Sequence, residues 1–291
     1  MKTMIKFAAI SAVALAASST AALALPELPA GTTTGLALGA PLPEGVYDIS
    51  IASYGSAKDG GGVNNVSYAI PVWLIWSTPY QIAGGRIALD TATAIIDAGT
   101  STAAHDSFGN TLVEGSIAWN LNNGFNASLR AGAWLPSTQE VPTLLSRDFT
   151  AFQGGGSISY VAGGWNLTAT ALYGSGHDVQ AGSLGVAQNS WVNLDLTATK
   201  KLGKMEIGVI AYGTWDVDSY KTGLTTKQAK AEEFAIGGLV GYDFGSFIAQ
   251  AKLAGDVDAK NIIGRGDDKE VRGTLTIIKP LWSPASEGPL K

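Results

Sequence analysis

From residue 45 onward the chain alternates. In 191–199, Trp191, Asn193, Asp195, Thr197 and Thr199 share one parity, and Val192, Leu194, Leu196 and Ala198 share the other. In 125–135, Asn126, Ser128, Arg130 and Trp134 stand against Phe125, Leu129, Ala131, Ala133 and Leu135. A period of two over about ten residues predicts a strand whose two faces meet different surroundings. The pattern recurs in twelve segments: 45–54, 66–77, 86–97, 111–120, 125–135, 152–161, 165–173, 191–199, 205–215, 234–242, 246–254 and 271–282. Clusters of Gly, Asn, Asp and Ser separate them.

The separators sort by length. Short links at 78–85, 121–124, 162–164, 200–204 and 243–245 alternate with longer polar loops such as 136–150, 174–190, 216–230 and 255–270. Short turns at one end and long loops at the other are the arrangement of an antiparallel outer-membrane β-barrel, all-β and of about twelve strands. Charge points the same way, because a charge on the lipid face costs about 2–4 kcal/mol near the midplane. The parity places Asp48, Asp90, Glu114, Asp195 and Glu206 with Arg86, Arg130, Lys252 and Arg272 in the lumen, together with Trp73, Trp134, Trp191 and Tyr212. Trp76, Trp119, Trp165, Tyr173, Trp215 and Tyr242 fall near strand ends on the apolar face, where interfacial girdles belong.

Before the first strand come two other pieces. Lys2 and Lys6, an apolar stretch from Phe7 to Ala17 and the small residues Ala22-Leu23-Ala24 make 1–24 a signal peptide for export, cut after Ala24. Residues 25–44 are rich in Pro, Ala and Gly and read as a periplasmic linker or a lumenal plug, the composition favouring the linker. The barrel takes 45–282, and 283–291 form a C-terminal tail. The uncharged interval 60–85 is long enough for a membrane helix. Pro71, Pro79 and its β-branched and aromatic residues make it a long strand plus a turn instead.

Composition narrows the function. The 291 residues hold no Cys, which excludes disulfides, thiol catalysis and Cys-ligated metals. Charged residues are 15% of the chain and the net charge is −5, which argues against a nucleic-acid binder, since that needs a basic face. His105 and His177 fall in predicted loops; Ser175 near His177 lacks the rigid nucleophile and base geometry of acyl transfer. Asp256, Asp258, Asp267, Asp268 and Glu270 read as a solvated acidic loop without EF-hand spacing. The Gly-Gly-Gly runs starting at Gly60 and Gly154 precede no helix and mark a loop and a closely approached strand. No enzyme activity, metal or cofactor is expected.

The segments PEGVYDI (43–49), IPVWLIWSTPYQIAGG (70–85), DSFGNTLVEGSIAWNL (106–121), RAGAWLP (130–136), the tract from Ser146 to Gly174 and TLTIIKPLW (274–282) resemble the outer-membrane proteins associated with meta-pathway phenol degradation. The resemblance implies an outer-membrane transporter for small hydrophobic or aromatic molecules, distantly similar to long-chain fatty-acid transporters. The chain departs from the family pattern with Ser137-Thr138 after Leu135-Pro136 and with nine residues beyond Trp282.

The expected function is therefore uptake of small hydrophobic or aromatic compounds across the outer membrane of a Gram-negative-type cell. Its expected partners are outer-membrane lipids, lipopolysaccharide, the barrel assembly machinery and the solute, with no nucleic acid. On this reading Trp73, Trp134, Trp191 and Tyr212 line a substrate path, and Arg86 and Arg130 attract a carboxylate or phenolate. Pro71, lacking an N–H, kinks the wall and opens it sideways. The alternatives are charges that simply pair and fill the lumen, giving a structural or adhesive barrel, and a lipid-acting barrel enzyme.

Overall fold

The computed structural model describes residues 27–57, 63–100, 104–136, 149–177, 188–220, 229–262 and 266–284. The predicted signal peptide and most of the C-terminal tail lie outside them. Twelve strands follow one another: β1 (Gly45–Ala57), β2 (Val63–Ile82), β3 (Gly85–Thr100), β4 (Ala104–Asn120), β5 (Phe125–Leu135), β6 (Ala151–Ala162), β7 (Trp165–Gly174), β8 (Trp191–Leu202), β9 (Met205–Asp216), β10 (Glu232–Asp243), β11 (Ile248–Lys260) and β12 (Glu270–Trp282). Each pairs antiparallel with the next, and β1 closes on β12. Among the described residues no helix is long and apolar enough to cross a membrane. Crossing is by strands, and closure leaves no ladder edge for lipid to meet.

The turns explain the hairpins locally. Ala83 and Gly84 both have positive φ, as do Gly163 and Gly164. That pair of conformations matches a two-residue turn to the right-handed twist of its strands. The expected link at 78–85 shrinks accordingly to this turn, because β2 runs on to Ile82, its ladder broken between Ser77 and Gln81 and resumed by Gln81 and Ile82 opposite Arg86 and Gly85. The acidic tract also differs from expectation. Asp256 and Asp258 belong to β11 and Glu270 to β12, so the loop lies between Lys260 and Glu270. His105 stands in β4 rather than a loop. The tight turns β2–β3, β4–β5, β6–β7, β8–β9 and β10–β11 share one end of the barrel with Gly45 and Trp282.

The two faces follow the sequence parity. Leu129, Ile158, Val209 and Leu253 point outward, each more than 59% exposed, while Asp90, Glu114, Arg130, Asp195 and Lys252 are buried inside. Trp76, Trp165, Tyr173 and Tyr242 lie on the outer surface, and Lys200 caps the Trp165 ring at 4.8 Å. Trp119 covers the β2–β3 turn and donates from Nε1 to Ala83 O (3.1 Å).

Asp48 corrects the lumenal list. The buried set on β1 is Tyr47, Ile49, Ile51 and Ser53, so Asp48 and Ser50 take the outward parity. There Asp48 opposes Lys279 near the short-turn end, where an opposite charge and interfacial water suit it better than the apolar lumen wall beside Ile49.

Leu129→Arg, on the outer face at mid-strand, is expected to destabilise the barrel by about 2–4 kcal/mol in a bilayer folding titration. The lumenal substitution Thr170→Ala should cost about 1 kcal/mol, the worth of its hydrogen bond to Ser157. Equal effects at the two positions would contradict the assigned faces.

Candidate functional site

Twelve strands enclose more room than their own side chains occupy, since an eight-stranded barrel is already about filled by its residues. The remaining room holds the chain's own residues 27–44. Although their composition favours a linker, they run through the lumen from the long-loop end to Gly45. Successive turns shape the segment, with Thr32 N on Pro29 O, Leu36 N on Thr33 O and Ala40 N on Ala37 O.

The wall side chains hold it by its backbone. Asp195 accepts from Gly31 N (2.8 Å), Thr33 N (2.9 Å) and Thr33 Oγ1 (2.7 Å). Gly35 N donates to Thr197 Oγ1 (2.8 Å) and Gly39 N to Ser159 Oγ (3.0 Å). In the other direction Asn193 Nδ2 donates to Leu28 O (2.8 Å), Ser128 Oγ to Leu38 O (2.8 Å) and Ser77 Oγ to Leu42 O (2.9 Å). Gly31 and Gly35 have φ near +85°. A Cβ on Gly31 would lie 2.7 Å from the Tyr212 ring, and one on Gly35 2.5 Å from Gln250 Oε1. The spacing Gly31, Gly35, Gly39 is therefore the signature of a backbone pressed against a wall.

The lumen has two sides. β7, β8 and β11 supply most of the polar anchors. β1–β5 supply an apolar lining of Tyr47, Ile49, Ile51, Ile70, Trp73 and Leu112 among others, against which Leu28 and Leu36 pack. Behind this lining the wall is irregular at one level. The β1–β2 register shifts between Ile49 and Ile51, the β2–β3 register between Ala69 and Trp73, and the β3–β4 register between Thr93 and Ile95. Pro71 and Val72 sit together opposite Ser50, an extra residue in β2, and both are exposed on the outer surface. The inward parity changes there, from Tyr68 and Ile70 to Trp73 and Ile75.

The six predicted path residues all lie inside, and they are already occupied with other wall residues or with the segment. Trp73 Nε1 donates to Asp90 Oδ1 (2.8 Å). Arg130 pairs with Glu114 (2.9 Å), Glu114 accepts from Gln153 Nε2 (2.7 Å), and Gln153 accepts from Trp134 Nε1 (2.9 Å). Trp191 donates to Glu27 (3.2 Å). Tyr212 packs over Gly31, and half-buried Arg86 donates to Thr78 O (3.2 Å) near the short-turn end. Trp73, Trp134 and Trp191 share one apolar cluster, whereas Tyr212 belongs to another with Ala30, Ala235 and Ala254.

Tyr68 was missed. Its signal was Pro71, since the parity of Trp73 carried back without a bulge puts Tyr68 on the outside. Arg272, expected in the lumen, stands beside it: the guanidinium lies 5.5 Å from the Tyr68 ring and bridges Glu270 (2.7 Å).

Elsewhere, Ser175 Oγ accepts from Phe152 N (2.9 Å) and His177 stacks on Phe149. Among the described residues no group of three His, Asp or Glu side chains is placed to hold a metal ion.

The family model described as "Putative MetA-pathway of phenol degradation" matches residues 34–266. The chain belongs to this family. The match takes in β1–β11 and the lower part of the lumenal segment. No curated protein matches the chain. Among solved structures, the CymD monoaromatic hydrocarbon channel is similar, with a TM-score of 0.50 at 9% identity over 83% of this chain and 90% of that one. The NanC porin has a TM-score of 0.48 at 12% identity over 80% of this chain and 100% of its own. The translocator domain of the autotransporter NalP from Neisseria meningitidis has 0.42 at 14% identity, covering 81% and 88%. At these identities the likeness is one of fold: this phenol-degradation family member has the architecture of an outer-membrane barrel.

Asp195 is the strongest tether of the lumenal segment, because three of the segment's donors converge on its two carboxyl oxygens. Wild-type protein is expected to give no steady current in planar bilayers. Asp195→Ala should give bursts of current while the barrel keeps its heat-modifiable migration on gels; a variant as silent as wild type would show that the segment is held without Asp195.

Proposed function

We propose that this family member is an outer-membrane passage for small apolar and aromatic solutes, closed at rest by residues 27–44. Solute enters at the long-loop end, moves along the apolar wall of β1–β5 beside Leu36 and Leu38, and leaves sideways into the membrane at the Pro71 bulge. The observation that carries this reading is the coincidence of the three register shifts with the apolar half of the lumen. A water-filled pore would need the opposite, polar residues on a regular wall. Pro71 contributes directly, because it brings no N–H to the ladder and weakens pairing where the wall would part.

The family description, phenol degradation, and the name of CymD, a monoaromatic hydrocarbon channel, support an aromatic solute. An exported precursor, placement in the outer membrane and contacts with its lipids, lipopolysaccharide and the assembly machinery belong to the same proposal. Trp73 and Trp134 act here as walls whose polar tips are tied to Asp90 and Gln153, leaving their ring faces to pack. The filled lumen also favours a rival reading, a structural barrel that never opens.

One experiment separates them. Cells carrying wild-type protein should take up radiolabelled phenol and toluene faster than cells without it. Pro71→Val combined with deletion of Val72, which restores a regular β2, should cut that gain at least threefold while leaving folding intact. Uptake identical with and without the protein would establish the closed structural barrel, and uptake indifferent to the repaired strand would remove the lateral exit.

A further inference from the structure

The lumen holds a cation whose hydrogen-bond partners belong to the segment rather than to the wall. Lys252, at mid-β11, is 5% exposed, and its ammonium donates to Thr34 O (2.8 Å) and Thr34 Oγ1 (3.3 Å). Among the described residues no carboxylate lies within ion-pair distance of it. Asp195 and Glu206 act on it only from longer range, so its direct contacts are one carbonyl and one hydroxyl, and an anionic oxygen in place of the carbonyl would bring an opposite charge into contact.

The surroundings specify more than charge. A cavity of about 10 Å³, room for a single water, adjoins Lys252 and is lined by Gly31, Thr34, Tyr68, Tyr212 and Arg272. Residues 31–34 fit among these side chains as a ligand would. Gly31 packs so closely on the Tyr212 ring that a Cβ would lie 2.7 Å from it, Thr32 Oγ1 meets Tyr68 Oη (3.1 Å), and the Thr34 carbonyl points at the ammonium. An aromatic carboxylate offers the same two contacts, a planar group to pack on an aromatic ring and an oxygen for the buried cation. Arg272 is already bridged by Glu270 (2.7 Å), so the site suits one negative charge and disfavours two.

We infer that Lys252, Tyr68, Tyr212 and Arg272 form a binding site for a small aromatic monocarboxylate, and that residues 31–34 occupy it in the absence of solute. The inference rests on the barrel being a passage and names one class of its solutes. Binding replaces the Thr34 carbonyl on Lys252 by a carboxylate oxygen and the Gly31 peptide by the ring. It thereby unseats the segment, so the solute itself opens its path. These four side chains come from β2, β9, β11 and β12 and meet across the lumen at the long-loop side of the apolar wall.

The test uses the purified full chain in detergent and four probes: benzoate, cyclohexanecarboxylate, acetate and phenol, titrated by calorimetry. Benzoate is expected to bind saturably, and acetate, phenol and cyclohexanecarboxylate at least tenfold more weakly. Lys252→Met should weaken benzoate at least tenfold, and Lys252→Arg should restore binding to within about threefold of wild type. Because the chain has no cysteine, Leu38→Cys provides a clean reporter, and benzoate should raise its rate of labelling by a charged maleimide severalfold.

Absence of saturable benzoate binding, equal binding of benzoate and acetate, or a folded Lys252→Met with wild-type affinity would each overturn the site. If Lys252→Met does not fold, the comparison of probes on wild-type protein still decides. Failure here together with phenol uptake that depends on Pro71 would remove the site and leave the passage standing. Benzoate binding without any uptake would keep the site and remove the passage.

Discussion

Hydrocarbon offers no partner to a backbone N–H or C=O, and that constraint organises the whole molecule. It forces the sheet to close, β1 onto β12, and closure at twelve strands creates an interior too wide for the wall's side chains alone. The chain fills the excess with itself. The segment threaded through the lumen carries the same backbone polarity that the barrel had to satisfy, so its amides need acceptors, which Asp195, Thr197 and Ser159 provide. Filling the barrel and satisfying the filler are one problem solved by one set of lumenal side chains.

This coupling explains why the lumen is divided. A segment with polar backbone and leucine side chains is best received by a polar wall on one side and an apolar wall on the other. β7, β8 and β11 carry most of the first, and β1–β5 carry the second. The charges on the apolar side are contained within a short network: Glu114 serves Arg130 and Gln153, while Asp90 holds the Trp73 indole. Each buried charge there has a partner, which is what allows tryptophans and charges to share a low-dielectric interior. Lys252 is the contrast, its hydrogen bonds going to the Thr34 carbonyl and hydroxyl of the lumenal segment.

The row of register shifts in β1–β4 gives the wall a second property. A bulge inserts a residue, bends its strand and interrupts pairing locally, and three adjacent strand pairs do so at one level. These shifts coincide with the apolar lining of β1–β5, and the proposed solute path rests on that coincidence.

The strands were legible because two solvents write a period of two into every membrane strand. The twelve segments, the sorted loop lengths and the lumenal charges Asp90, Glu114, Asp195, Arg130 and Lys252 all follow from that alternation. Alternation alone fails where its phase is not anchored. Asp48 went to the wrong face because polarity near a strand end suits interfacial water as well as a lumen, and Tyr68 was hidden by the phase change at Pro71. The sequence by itself determined the barrel and its two faces, since the face of a residue is a local property of the pleat. The tertiary structure alone decided what the lumen contains. Whether 27–44 runs free or threads the barrel depends on Gly31 meeting Asp195 and Lys252 meeting Thr34, contacts between residues more than 160 positions apart that no local pattern encodes.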